Sequence, residues 1–247
     1  MQKITRIDLI RLYLRSFFVQ TGWSYDRMIA LGFIWILIPV AKKLCSSIEE
    51  QSDFLKRHLR SFNANPYLAS YAVGAVVKLE EDKIPGEQIT RFKESLQGPL
   101  GALGDRLIWQ NLRPALLILG IILSQITGVL GALSFFLIFN LHQVYLRARG
   151  IIKGYTLGFE LSSDLTKGYL QSMTKWSGRM GAFLLGILFV LKSHPTGSEP
   201  FRAENIILLS LFSLLSFLAF KRNINPNYTL LISVVFFLLI KSLVILI

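Results

Sequence analysis

Three short stretches hold the side chains best suited to chemistry: SFNANPYLA with Asn63 and Asn65, KLEEDKIPGE with Glu80, Glu81 and Asp82, and QGPLGALGDRLIW, whose glycines lead into Asp105, Arg106 and Trp109. Carboxylates and amides are natural partners of hydroxyl groups, so a polar cavity built from them suits a hydroxyl-rich ligand such as a sugar. Within the acidic cluster Glu80 is the first candidate, because it lies nearest the preceding apolar segment; the plainer alternative is a solvated turn. Asn65 reads as the cap of a helix whose first turn begins with Pro66, which leaves Asn63 the freer polar group. Asp105 reads as a cap for the helix through Trp109. An uncompensated charge within a membrane costs about 3 kcal/mol on insertion scales, so Asp105 and Arg106 face water, pair, or line a cavity.

Other chemistries fit poorly. A phosphate-binding P-loop needs Gly-Lys-Ser/Thr where Asp105 follows Gly104, and an aspartate there would repel phosphate. The dinucleotide fingerprint lacks both its spacing and its preceding strand. His58, His142 and His194 show no ligand spacing, so no metal site is expected, and Cys45 is the only cysteine. No poised nucleophile or base is found, so no catalytic residue and no cofactor is assigned.

The elements that must position these groups are set by hydropathy. The chain has 247 residues, 52% of them hydrophobic and 17% charged, too little polar surface for a soluble domain. Net charge is +12, but the basic residues bracket apolar runs instead of forming a block, which suits membrane flanks and anionic lipid rather than nucleic acid. Apolar runs long enough to cross a bilayer fall in the C-terminal half. The run 114–145 reads as two short helices joined at Thr127 to Gly131, and further runs cover 180–191 (extended back through Trp176), 206–220 and 228–247. This predicts about five spans. Arg147, Arg149, Lys153, Lys167, Lys175 and Arg179 assign the flank after the second span to the cytoplasm, which puts the N-terminus inside and the C-terminus outside.

In the N-terminal half, Thr5 and Asp8 form a capping box opening an amphipathic helix. Asp8, Arg11 and Arg15 share one face, and Ile7, Ile10, Leu14, Phe17 and Phe18 the other. Such a helix either lies on the membrane surface or packs on the protein. The runs 28–41 and 66–77 are too short to span and read as interfacial, buried or re-entrant. The stretch of Gly98, Pro99, Gly101 and Gly104 reads as an apolar hairpin at a site, since non-helical backbone at membrane depth is tolerated only inside protein or beside a cavity. The expected architecture is therefore an all-α integral membrane protein. Residues 1–113 hold the amphipathic, short apolar and re-entrant segments, residues 114–247 the transmembrane region, and the two form one functional unit.

The order and spacing of WSYDRMIALGFIWILIPVAKKL, RHLRSFNANPYLA, KLEED, QGPLGALGD, Trp109, Arg113-Pro114 and FFLIFNLHQVYLRARGIIKGY resemble the IID membrane subunit of the mannose/fructose/sorbose-type phosphoenolpyruvate-dependent phosphotransferase system over nearly the whole chain. The resemblance implies a helical bacterial inner-membrane protein with hairpins that enter the bilayer without crossing. It implies a hetero-oligomer in which a IIC subunit completes the sugar path, while IIA and IIB components phosphorylate the hexose as it arrives. It also implies that IID carries no phosphorylated residue. Glu80, Gly98, Gly101, Gly104, Asp105 and Trp109 are the matching positions; with Asn63 they make Asn63, Glu80, Asp105 and Trp109 the substrate-path candidates. Two departures stand out: Arg106 follows the hairpin aspartate, and Lys175 to Arg179 replace an acidic, glycine-rich stretch. They keep a second reading open, a membrane scaffold or regulatory protein that retains the fold without transport.

Overall fold

A computed structural model describes residues 3–193 and residue 235, and within them the chain is helical, without named strands. The expected spans at 206–220 and 228–247 lie outside the described residues. Two helical runs among the described residues are long and apolar enough to cross a membrane, Gly86–Thr127 and Val129–Leu188. The run expected at 180–191 falls within the last described helix. The packing described below lies within the compact unit Met1–Leu188.

Helix α1 (Arg6–Ser16) starts at the predicted capping box: the Thr5 hydroxyl accepts from the Asp8 N–H at 3.4 Å, and the Asp8 carboxylate accepts from the Thr5 N–H at 2.8 Å. Of its two expected placements, packing on the protein is observed along one face. Asp8, Leu12 and Ser16 are buried against the protein, and Asp8 is ion-paired with Lys43, whereas Ile7, Ile10, Leu14, Phe17 and Phe18 remain exposed. Helix α2 (Ala30–Leu44) buries Phe33, Ile36, Leu37 and Val40 and leaves Trp35 outside, under the guanidinium of Arg15 at 4.4 Å. Helix α3 (Ile48–His58) is capped by Ser47, with Glu49 and Glu50 in its first turn and Lys56 and Arg57 in its last, each complementing the helix dipole.

Helix α4 (Ala69–Glu81) is the core: every residue from Ala69 to Val77 is buried. Of the three options for this short apolar run, burial in protein is the one observed. It lies alongside α8 (Val129–Leu157), and small residues make the approach possible. A Cβ on Gly154 would meet the Tyr71 carbonyl at 2.1 Å, one on Gly74 the Ile151 carbonyl at 2.3 Å, and one on Gly150 the Ser70 hydroxyl at 2.0 Å. Contacting positions advance together along both helices, so α4 and α8 run parallel with their backbones touching.

The chain reverses after α4 at residues 82–85. Lys83 takes a left-handed φ of 57°, Ile84 N–H donates to the Leu79 carbonyl and Lys83 N–H to that of Glu80, a Schellman ending closed by Pro85. The glycine-proline stretch turns out differently from expectation. After α5 (Gly86–Ser95), residues 97–104 form helix α6 (Gln97–Gly104), not a turn. Pro99 falls in the first turn of α6, where a missing N–H costs nothing, and it leaves the Ser95 carbonyl without its helical donor, so α5 and α6 separate at Leu96. No cavity-lining hairpin is formed by Gly98, Pro99, Gly101 and Gly104; the reversal uses the neighbouring KIPG.

Residues Asp105–Leu112 widen into a π-helix that continues as α7 (Arg113–Thr127). Pro114 accounts for the widening: in an α-helix its ring would strike the Gln110 carbonyl, and the broader turn relieves that clash. The hinge between α7 and α8 is the single residue Gly128, at φ 61° and ψ −129°, a conformation closed to side chains. The two helices return antiparallel, with Gly120 against Phe135 and Gly131 against Ser124. A short 3-10 turn (Gly158–Glu160) and α9 (Leu161–Lys167) lead to α10 (Tyr169–Ser193), whose Gly178 and Gly181 approach Asn111 and Ala115.

Candidate functional site

The second of the three sequence clusters, KLEEDKIPGE, holds the fold together. Glu80 accepts from Arg57 Nη2 at 2.9 and 3.0 Å and faces His58 Nε2 at 2.9 Å; its side chain is 9% exposed and that of His58 fully buried. Burial works against ionisation of Glu80, but the hydrogen bonds from His58 and Arg57 outweigh it and hold its carboxyl below the usual range. Burial pushes the His58 imidazole down and outweighs the Glu80 carboxylate, which favours the charged ring, with the Lys93 and Arg57 cations adding to the lowering, so we read it as a neutral ring donating Nε2–H to the carboxylate. Lys93, 1% exposed, donates to the His58 carbonyl at 2.7 Å and lies against the rings of Phe33 and Phe62. Glu81 accepts from the Ile4 N–H at 2.7 Å and from the Tyr155 hydroxyl, and Asp82 pairs with Lys78. Glu80 and Glu81 thus each join two elements of the fold, Asp82 pairs within the last turn of α4, and Glu80 is closed off from a ligand by its own partners.

The first cluster, SFNANPYLA, and the third, QGPLGALGDRLIW, meet. Asn65 Oδ1 accepts from the Tyr67 N–H at 3.1 Å, and its carbonyl accepts from Leu68 and Ala69, so it starts the turn leading into α4 and does not cap that helix, which begins at Ala69 with Leu68 at its N-cap. Its amide Nδ2 also donates to Asp105 Oδ1 at 3.0 Å, across forty residues of sequence. Gly104 makes that contact possible, since a Cβ there would fall 2.2 Å from the Asn65 Cβ. Asp105 is therefore not a helix cap. It stands inside a continuous helix, on its exposed side, and among the described residues its partner is an amide and not a cation.

One turn on, Trp109 is 41% exposed, with its ring 6.1 Å from that of Tyr67 and the Arg113 guanidinium 5.2 Å above it. Tyr67 in turn meets Phe139 edge-on and Arg147 at 5.2 Å. Arg147 is buried and donates to the carbonyls of Ser16 and Pro66, fixing the end of α1 and the start of the Asn65 turn to α8. One turn before it on α8, the Gln143 side chain is 5% exposed with both amide atoms unpartnered. Asn63 lies apart: it is exposed, and its N–H donates to the Gln97 side chain at 2.7 Å.

The structure thus brings together Asp105, Asn65, Trp109 and Tyr67 and leaves Glu80 and Asn63 elsewhere. A carboxylate and an amide beside two amphipathic rings can hold a hydroxyl-bearing ring by hydrogen bonds at its edge and contact at its face. Sequence reasoning missed Tyr67 and Arg113. The signal for Arg113 was present, four residues after Trp109 on one helix; nothing local marked Tyr67.

Known proteins resemble this chain over most of its length. The family model for the PTS system mannose/fructose/sorbose family IID component matches residues 3–192. The mannose-specific EIID component of Escherichia coli (strain K12) is 33% identical over 199 residues, covering 78% of this chain and 70% of that relative. The sorbose-specific EIID component of Lacticaseibacillus casei is 36% identical over 191 residues, covering 75% and 68%. Among solved structures, a membrane protein superposes with a TM-score of 0.71 at 30% identity, covering 98% of this chain and 97% of the other. A chain in the cryoEM structure of the mannose transporter ManYZ with microcin E492 superposes with a TM-score of 0.61 at 29% identity, with the same coverage. The chain belongs to the mannose/fructose/sorbose family of phosphotransferase-system IID components.

Proposed function

We propose that this chain is the non-catalytic permease subunit of a group-translocating sugar transporter, forming the path with a IIC subunit while IIA and IIB components phosphorylate the hexose on arrival. The chain is a multi-pass protein of the bacterial inner membrane with its N-terminus in the cytoplasm. The observation that carries the reading is the Asn65–Asp105 pair beside Trp109 and Tyr67. A carboxylate left facing outward with only a neutral partner, at the widened turn of a long apolar helix, retains its capacity to accept further hydrogen bonds. The relatives named for mannose and sorbose support a hexose as the cargo.

In this reading Asp105 accepts from sugar hydroxyls, Asn65 fixes the rotamer of Asp105 while keeping one amide proton available, and Trp109 offers its exposed ring to a sugar face. Glu80 and Asn63 act at a distance from that contact. Gly104 sets the separation between the helix and the Asn65 turn.

The test is uptake of labelled sugar, with the phosphorylation state of the product recorded, in cells lacking their own mannose-type transporter and supplied with this chain and its IIC, IIA and IIB partners. Uptake should require the chain, and Asp105→Asn and Trp109→Ala should each raise the apparent KM about tenfold or more with the complex still assembled, the loss of one good charged or aromatic contact. Transport by this chain without a IIC partner, or an unchanged KM in both variants, would overturn the proposal.

A further inference from the structure

Between α1 and α8 runs an open groove of about 380 Å³. Leu9, Ile10 and Tyr13 form one wall, Ile151 and Ile152 the other, and Arg6 is the charged residue among its lining. The other arginines of α1 are engaged: Arg11 lies 3.9 Å from Asp8, and Arg15 donates to the Trp35 carbonyl at 2.8 Å. Arg6 is exposed and takes part in no hydrogen bond or ion pair among the described residues. Asp8, the one acidic residue of the helix, is occupied by Lys43 and Thr5.

The groove is continuous with an exposed apolar surface. Ile10 belongs both to its wall and to the face formed with Ile7 and Leu14, all between 55% and 62% exposed. In a membrane protein such a face rests in the interfacial layer, where an arginine reaches the level of the lipid headgroups. What enters the groove must then be apolar along most of its length and negative at one end. We propose that it is a binding site for an anionic phospholipid of the surrounding bilayer, with the phosphate paired to Arg6 and an acyl chain laid along Leu9, Tyr13 and Ile151.

This assigns the excess positive charge of the N-terminal segment a specific partner, because a zwitterionic lipid offers Arg6 no net attraction. It also makes α1 a lipid-dependent clasp: a chain in the groove touches both α1 and α8, adding to the link that Arg147 makes between them. The inference is independent of the sugar path and concerns the opposite class of ligand.

The experiment is native mass spectrometry on the full-length protein, purified with the subunits that accompany it and stripped of lipid, then titrated in parallel with dioleoyl phosphatidylglycerol and dioleoyl phosphatidylcholine. Phosphatidylglycerol should bind more tightly by about fivefold, the preference expected of one interfacial basic residue, and Arg6→Gln should reduce it to the level of phosphatidylcholine. Ile152→Trp, which fills the groove from an exposed position, should lower occupancy by both lipids. Equal binding of the two lipids, or a preference that survives Arg6→Gln with an unchanged melting midpoint, would overturn the proposal. So would efficient crosslinking of Ile152→Cys, in a Cys45→Ser background, to another subunit, which would make the groove a protein interface.

Discussion

Glu80→Gln separates the two roles that the acidic cluster invites. The substitution keeps the shape of the side chain and one oxygen acceptor but removes the charge that Arg57 and His58 face. Removing one partner from a buried ion pair costs about 3–5 kcal/mol. Here Arg57 is 30% exposed and can turn its guanidinium to water, while His58, fully buried, is left with a weaker acceptor, so about 2 kcal/mol is the expected loss. For a chain of this size that is a fall in melting midpoint of about 4–8 °C, read by fluorescence scanning of the purified complex in detergent. Sugar uptake per assembled complex should show an unchanged KM. Asp105→Asn should give the reverse pattern, a changed KM with little change in melting. A Glu80→Gln protein that melts normally and binds sugar poorly would refute the assignment of Glu80 to the fold.

Three further outcomes follow from the geometry. Gly154→Ala must push α4 away from α8, because its Cβ would fall 2.1 Å from a carbonyl, and should cost about 1–3 kcal/mol in thermal stability; Gly98→Ala, with nothing within 4 Å, should be neutral or stabilising by about 0.5–1 kcal/mol. Asp8 is lowered from 3.8 to about 2, with burial opposing and the Lys43 and Thr5 hydrogen bonds outweighing it. A depressed carboxyl contributes stability that is complete above its unfolded pKa and lost as pH falls through the folded value, here from about pH 4 to about pH 2. The contribution is about 2 kcal/mol and should vanish in Asp8→Asn, whose acid melting curve would be flatter than wild type over that window. Pro114→Ala should remove the clash that widens residues 105–112, tighten the turn to an ordinary helix and rotate Asp105 away from Asn65, seen as a loss of uptake without loss of the folded complex.

Much of the fold was legible because it rests on local rules. The Thr5–Asp8 box, the apolar helices after Pro114 and the break near Gly128 each follow from residues within one turn of each other. The hairpin assigned to Gly98, Pro99, Gly101 and Gly104 failed on the same ground: glycine and proline permit a turn but do not require one. A proline in the first turn of a helix fits as well as one in a loop. The deciding residue was Lys83, which adopts a left-handed conformation that the sequence would have reserved for glycine, because the Schellman hydrogen bonds and Pro85 secure it there.

The site was less legible, and the reason is packing across distance. Asp105 and Trp109 could be singled out because they stand in one short motif, but Asn65 was assigned to capping alone and Glu80 to a ligand. Their actual neighbours lie 40 and 22 residues away in sequence. What determines both assignments is the approach of helices at small residues. Gly104 admits Asn65 to Asp105, leaving that carboxylate partnered only by an amide among the described residues; the close contact of α4 with α8 at Gly74, Gly150 and Gly154 fixes the helix on whose last turn Glu80 meets Arg57 and His58. A carboxylate held by an arginine is stable and spent. One held by a neutral amide still has acceptor capacity to offer, and this difference, more than position in a motif, is the ground on which Asp105 is proposed as the group that meets a ligand.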